Sequence, residues 1–176
     1  MDAWWGEVWQ TIEAEFSDIS DPMQLTRVIV RLTVAVFLGG LLGYERELRG
    51  TSAGLRTHML VALGSALFVL VPLEAGITPA DLSRVLQGVI AGIGFLGAGA
   101  IIKLSQEQEI KGLTTAASVW LTAAIGVAAG MGRESTAIVS TMFALFILAV
   151  LRKIIDVEQG KKEPRAQSPH DDATTN

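Results

Sequence analysis

Apolar and polar positions along this 176-residue chain fall into long blocks and not into a two-residue alternation. Residues 85–102, 112–132 and 135–151 contain no Asp, Glu, Lys or Arg, and residues 57–73 carry only His58. A fifth apolar run, 26–44, is interrupted by Arg27 and Arg31. A helix needs about 20 mainly apolar residues to cross a bilayer, with a range of roughly 17–25. The pattern therefore predicts an all-α fold, a polytopic transmembrane bundle of about five spans. Asp21-Pro22 reads as N-cap and first helical residue of span one. Thr78-Pro79 does the same for span three, which is expected to run to about Leu104.

Ahead of span one, Trp4, Trp5, Val8, Trp9, Ile12 and Phe16 fall near one face of a helix. That stripe predicts an amphipathic helix lying in the headgroup region, or else packing on a partner. Three segments follow: 1–21, Trp-rich and outside; 22–156, the membrane domain; and 157–176, a polar tail disordered by composition.

Composition sharpens the class. Half the residues are apolar, mean hydropathy is +0.44, and 18% are charged, below the roughly 25% of soluble domains. The first 25 residues hold six acids and no Lys or Arg, the reverse of a signal peptide's basic start, so no cleavable leader is expected. With no cysteine, disulfides and thiolate metal sites are excluded. Basic residues set the orientation. Arg46, Arg49, Arg56, Lys103, Lys111 and the tail fall on one side of five alternating spans, and only Arg84 and Arg133 on the other. This places the N-terminus outside and the C-terminus in the cytoplasm.

The run GVIAGIGFLGAGAII (88–102) contains a literal G-x-G-x-x-G, but no strand precedes it and no acid follows about 20 residues on to hold a ribose. It is not a dinucleotide turn. At about 100° per residue, Gly88, Gly92 and Gly99 share one helix face, with Gly94 and Gly97 on the back. Two small faces predict that span three packs on both sides, near the bundle centre. The alternative is a helix broken at 92–99, its freed backbone groups facing a cavity. Ala35, Gly39 and Gly43 form a similar stripe in span one, as do Ser118, Thr122, Gly126 and Gly130 in span four. A tight bundle or homo-oligomer is the expectation.

Candidate chemistry lies with the charges. Arg31 sits about 12 Å along span one and leads onto its small-residue face; it either points into the bundle or snorkels outward. Glu45, fourteen residues later, returns to nearly the same face. At the cytoplasmic rim, Arg46, Arg56, Thr57 and His58 surround Gly50 and Gly54. Thr57, Thr114 and Thr115 are candidate caps of spans two and four, whose positive ends, with Arg56 and Lys111, suit an anion or an acidic segment. Solvated positive-inside loops are the competing reading. No histidine pair, catalytic triad or P-loop is present, so neither enzyme activity nor nucleic-acid binding is expected, and no metal site can be assigned.

Three motifs together resemble the MgtC/SapB family: GYERELRGTSAGLRTHMLVALGSALF (43–68), RVLQGVIAGIGFLGAGAII (84–102) and IKGLTTAASVWLTAAIGVAAGMG (110–132). The resemblance covers roughly residues 25–151. The matching positions are Glu45 and Arg46; Gly54, Arg56, Thr57 and His58; Gly92, Gly94, Gly97 and Gly99; and Gly112, Thr114, Thr115 and Trp120. It implies a bacterial inner-membrane protein of about five spans, involved in growth under magnesium limitation and, in some members, survival inside host cells. Regulation of membrane partners is the implied activity, with transport of magnesium or another ion as the alternative. An anion or lipid-headgroup sensor at the cytoplasmic face is a third reading. The longer members carry a C-terminal soluble domain with no counterpart here, so a short, SapB-like member is expected.

Overall fold

The structure, a computed structural model, describes residues 2–15, 21–103 and 110–151. It is helical along each of the apolar runs: α1 (Asp2–Glu15), α2 (Pro22–Leu48), α3 (Leu55–Glu74), α4 (Pro79–Ala100), α5 (Leu113–Gly130) and α6 (Glu134–Leu145). Among the described residues, α2 to α5 are the four helices long and apolar enough to cross a membrane. The fifth run forms α6, of 12 residues, extended by a π-helical turn over Phe146–Leu151. The tail beyond residue 151, and Phe16, lie outside the described residues.

Both predicted caps form. The Asp21 carboxylate accepts from the Met23 amide at 3.0 Å, with Pro22 opening α2. The Thr78 hydroxyl accepts from the Asp81 amide at 3.2 Å, with Pro79 opening α4. α4 then runs unbroken through all five of its glycines and stops at Ala100, four residues short of the expected end. The broken-helix alternative is therefore overturned. After α4, β1 (Ile102–Lys103) pairs antiparallel with β2 (Ile110–Lys111), a two-residue ladder that returns the chain to α5. Gly112 completes the return at φ +98; a Cβ there would meet the Ala100 carbonyl oxygen.

The core lies where α2, α3, α5 and α6 meet: Leu38 and Leu42 face Ala62 and Ala66, with Ile125, Ala129, Ala137 and Ala144 closing it. Small residues set its spacing. A Cβ on Gly39 would lie 2.7 Å from both the Ala62 Cβ and the His58 carbonyl oxygen. On the other side of α3, a Cβ on Gly130 would lie 2.5 Å from the Ala66 carbonyl oxygen. Helix α3 is thus gripped by α2 and α5, and it holds the centre expected for α4. α4 is peripheral and buries only Leu82 and Gly97. The reason is that α3 offers Ala62 and Ala66 to glycines on both neighbours, whereas most glycines of α4 meet nothing within this chain. Gly88, Gly92, Gly94 and Gly99 have no atom within 4 Å of an added Cβ; Gly97 alone touches Ala116, at 3.7 Å.

On α1, Trp4, Trp5, Trp9 and Ile12 are all exposed, and the first two rings meet edge to face at 4.6 Å.

Candidate functional site

The corner between α2 and α3 gathers most of the predicted residues. α2 ends in the sequence Glu45-Arg46-Glu47, and each side chain takes a different job. Arg46, only 3% exposed, donates from Nε to Glu45 Oε2 at 2.6 Å. Arg49 donates from Nε to Glu45 Oε1 at 3.0 Å, so one carboxylate holds two guanidinium groups. Charge-assisted bonds of this kind are the shorter, stronger class. Thr51 fastens the following loop: its hydroxyl lies 3.0 Å from the Arg46 carbonyl oxygen and 2.9 Å from that of Ala53, and can turn its one hydrogen to either.

Glu47 reaches forward eight residues and accepts from the Leu55 amide at 2.9 Å. A carboxylate on the first free N–H of a helix complements its partial positive charge. This corrects the cap assignment. The residue preceding α3 is Gly54, with no side-chain cap of its own, and Thr57 stands inside the first turn, exposed. Gly112 holds the same place before α5, so Thr114 and Thr115 are likewise in the first turn and not caps. At Gly112 the obstacle to a side chain is backbone, whereas a Cβ on Gly54 would overlap the Glu47 carboxylate and displace it from the Leu55 amide.

His58 is wholly buried one turn into α3. Its Nδ1 lies 2.9 Å from the Gly54 carbonyl oxygen, which can only accept, so Nδ1 carries the proton. Its Nε2 lies 3.1 Å from Ser118 Oγ on α5, and that hydroxyl is also 2.8 Å from the Thr115 carbonyl oxygen. Both ring nitrogens are therefore engaged, and the imidazole ties α3 to α5. Ser118 Oγ can turn its one hydrogen to Nε2 or to the carbonyl. Gly43 of α2 completes the cradle: a Cβ there would stand 3.0 Å from the His58 Cβ and 2.7 Å from the Leu55 Cα. Arg56 and Thr114 are exposed and join no part of this network, and the Lys111 side chain lies outside what is described.

Arg31 belongs to the opposite end. It lies level with the last turns of α3 and α5, because α2 begins about two turns beyond them. Its Nη1 donates to the Gly130 carbonyl at 3.3 Å, where α5 ends and carries partial negative charge. Glu74 of α3 and Glu134 of α6 approach to 3.9 and 4.0 Å. The Nε of Arg31, buried, has no hydrogen-bond partner among the described residues. The turn that follows α5 adapts to this group: Gly132 sits at φ +73, and a Cβ would lie 2.5 Å from the guanidinium. Arg31 and Glu45, paired on one face by sequence, thus terminate the bundle at opposite ends and share no cavity.

Sequence reasoning missed the capping role of Glu47, and it missed Glu74, Glu134 and the Ser118 link. Glu74 and Glu134 were visible as acids placed at the very edge of charge-free runs. Their meeting with Arg31 depends on relative helix lengths that no local pattern encodes. Among the described residues, no three of His, Asp and Glu come together as a metal site would need.

The arrangement is one of structural locks: two ion-paired ends joined by a glycine-spaced core. The chain matches the model of the MgtC family over residues 32–157. It is 42% identical over 135 residues to protein SrpB of Synechococcus elongatus, covering 70% of this chain and 74% of that one. It is 42% identical over 133 residues to YhiD of Escherichia coli K12, named as a candidate magnesium transporter, covering 72% of this chain and 61% of that one. It is 44% identical over 128 residues to protein MgtC of Brucella abortus, covering 72% of this chain and 52% of that one. The chain thus spans between about half and three quarters of the length of these relatives. No solved structure matches it. With a family match across most of its length and relatives above 40% identity, the chain belongs to the MgtC family.

Proposed function

We propose that this is a multi-pass protein of the bacterial inner membrane, N-terminus outside, which serves magnesium-related homeostasis by acting on other membrane proteins. The supporting observation is the closed core: Gly39, Gly43, Gly126 and Gly130 bring α2 and α5 against the backbone of α3 with no room even for a methyl group. Among the described residues the charges against that core stand at its two ends, where Arg31 and Arg46 are held in ion pairs. Such a body offers partners a rigid surface. The membrane assignment follows from the four long apolar helices, and the magnesium link from family membership and the name of YhiD.

That name also favours a second reading, transport of magnesium or another ion. Flux into proteoliposomes containing the purified chain and a trapped magnesium indicator separates the two. A rate equal to that of protein-free vesicles is expected. Flux above the blank that is lost in Glu45→Ala overturns the regulator reading. The anion or lipid-headgroup sensor retains exposed Arg56, but the N-terminus of α3 beside it already holds the Glu47 carboxylate. It requires stabilisation by phosphate-bearing ligands that disappears in Arg56→Ala.

A further inference from the structure

Helix α4 carries two features that its position in the single chain does not use. The first is a groove of about 500 Å³ between α3 and α4, floored by Gly88 and Gly92 and walled by Phe68, Val85 and Leu96. Ser65 of α3 also lines it. That residue is 2% exposed, and its hydroxyl makes no hydrogen bond among the described residues. Two other buried helical hydroxyls bond back to the preceding turn, Thr122 to Ser118 and Thr141 to Ala137, whereas Ser65, like Thr115, does not. The hydroxyl of Ser65 is left open to the groove.

The second feature is Gln87. It is exposed in the middle of an apolar helix and makes no hydrogen bond among the described residues. An amide facing hydrocarbon is costly unless another helix satisfies it. Gln87 lies about 12 Å from the start of α4, and Ser65 about 13 Å from the end of α3, the two ends that residues 75–78 connect. Hydroxyl and amide therefore stand at one depth.

We propose that the α3/α4 groove is a self-association face, in which α4 of a second copy packs beside α4 and its Gln87 hydrogen-bonds to Ser65. A lipid tail offers no hydrogen-bonding group at mid-membrane depth, so a polypeptide is the occupant that satisfies the hydroxyl. A second copy is selected because this chain supplies both halves of the pair at equal depth. A two-fold axis along the membrane normal keeps those depths equal and repeats the bond twice, as an isologous interface requires. The helical wheel agrees. Gly88 and Gly92 lie about 100–140° from Gln87, with Ala91 and Phe95 between them. Packing on that intermediate strip turns the partner's amide away from the axis and toward α3. The glycines, open where a Cβ would stand, let the two helices come close. The interface does not depend on whether the protein regulates or transports.

The chain has no cysteine, so single cysteines report the interface directly. In vesicles of the full-length protein, oxidation is expected to crosslink Ala91→Cys into dimers several-fold more than Phe37→Cys, placed on the outer face of α2. Equal crosslinking at both sites, or more at position 37, overturns the proposal. Fluorescence transfer between labelled copies, measured on dilution with lipid, tests the bond itself. Ser65→Ala and Gln87→Leu are each expected to weaken association about threefold, the double variant no further. Independent, multiplying effects or none at all refute the pairing of these two groups.

Discussion

The glycine stripes of α4 and α5 are alike in sequence and opposite in surroundings, and alanine substitution should separate them. In Gly126→Ala the new Cβ would run into the Ala62 carbonyl oxygen and stand 2.9 Å from both the Ala62 Cα and its carbonyl carbon. In Gly130→Ala it would stand 2.5 Å from the Ala66 carbonyl oxygen and 2.9 Å from the Ala66 Cα. Each obstacle is backbone, so no rotamer change relieves it and α5 must move off α3. Overpacking of this kind costs about 1–3 kcal/mol, or more where backbone is displaced. Replacing a mid-helix glycine returns up to about 1 kcal/mol of helix propensity. The net expectation is a loss of about 1–2 kcal/mol for either substitution. The two sites lie one turn apart on the same contact, so the double variant should lose less than the sum. Gly92→Ala is the control: nothing lies within 4 Å of its Cβ, leaving only the propensity gain. Equilibrium unfolding in mixed micelles, at a dilution that keeps the chain monomeric, measures all four proteins. Equal stability of Gly126→Ala and Gly92→Ala would refute the packing reasoning.

Three further outcomes follow from the same geometry. Glu45→Gln removes the charge that balances a guanidinium 3% exposed, and should cost about 3 kcal/mol; Glu45→Leu with Arg46→Met should recover most of it. Unfolding midpoints of the single and double variants decide this, and equal losses would show that the pair is not coupled. Gly112→Ala forces a φ of +98 on a side chain whose Cβ meets the Ala100 carbonyl, and should cost about 2–3 kcal/mol. Gly50→Ala, at φ +64 in open space, should cost only about 1–2 kcal/mol under the same thermal scan. Ser118→Ala strips the partner from His58 Nε2 and should cost about 1–3 kcal/mol, while Ser118→Thr retains the hydroxyl; similar melting of both variants would argue against the link.

Much of this fold was legible one segment at a time. Blocks of about 20 apolar residues can satisfy their backbone groups in lipid only as helices, so the charge-free runs marked the helices. Asp21-Pro22 and Thr78-Pro79 marked two of their starts because capping is chemistry within four residues. Arg31, Ala35, Gly39 and Gly43 lie along one face of α2, a placement that helical periodicity sets locally. The motifs also carried the family. Less legible was the use of each residue: the threonines read as caps are ordinary first-turn residues, because Glu47 caps α3 from the preceding helix and Gly112 fits where a side chain would not.

Sequence alone therefore determined that the chain is an all-helical membrane protein of the MgtC family, where two of its helices begin, and where three of its helices carry stripes of small residues. The tertiary structure decided which small faces are occupied and which charges meet. α3, with no glycine stripe of its own, became the centre because two neighbours bring glycines to its alanines. α4, the richest in glycine, was left with an open face. Arg31 found Glu74 and Glu134 because unequal helix lengths bring a mid-helix residue of α2 level with the ends of α3, α5 and α6. Periodicity states what a face offers, and only the placement of the other helices states what takes it.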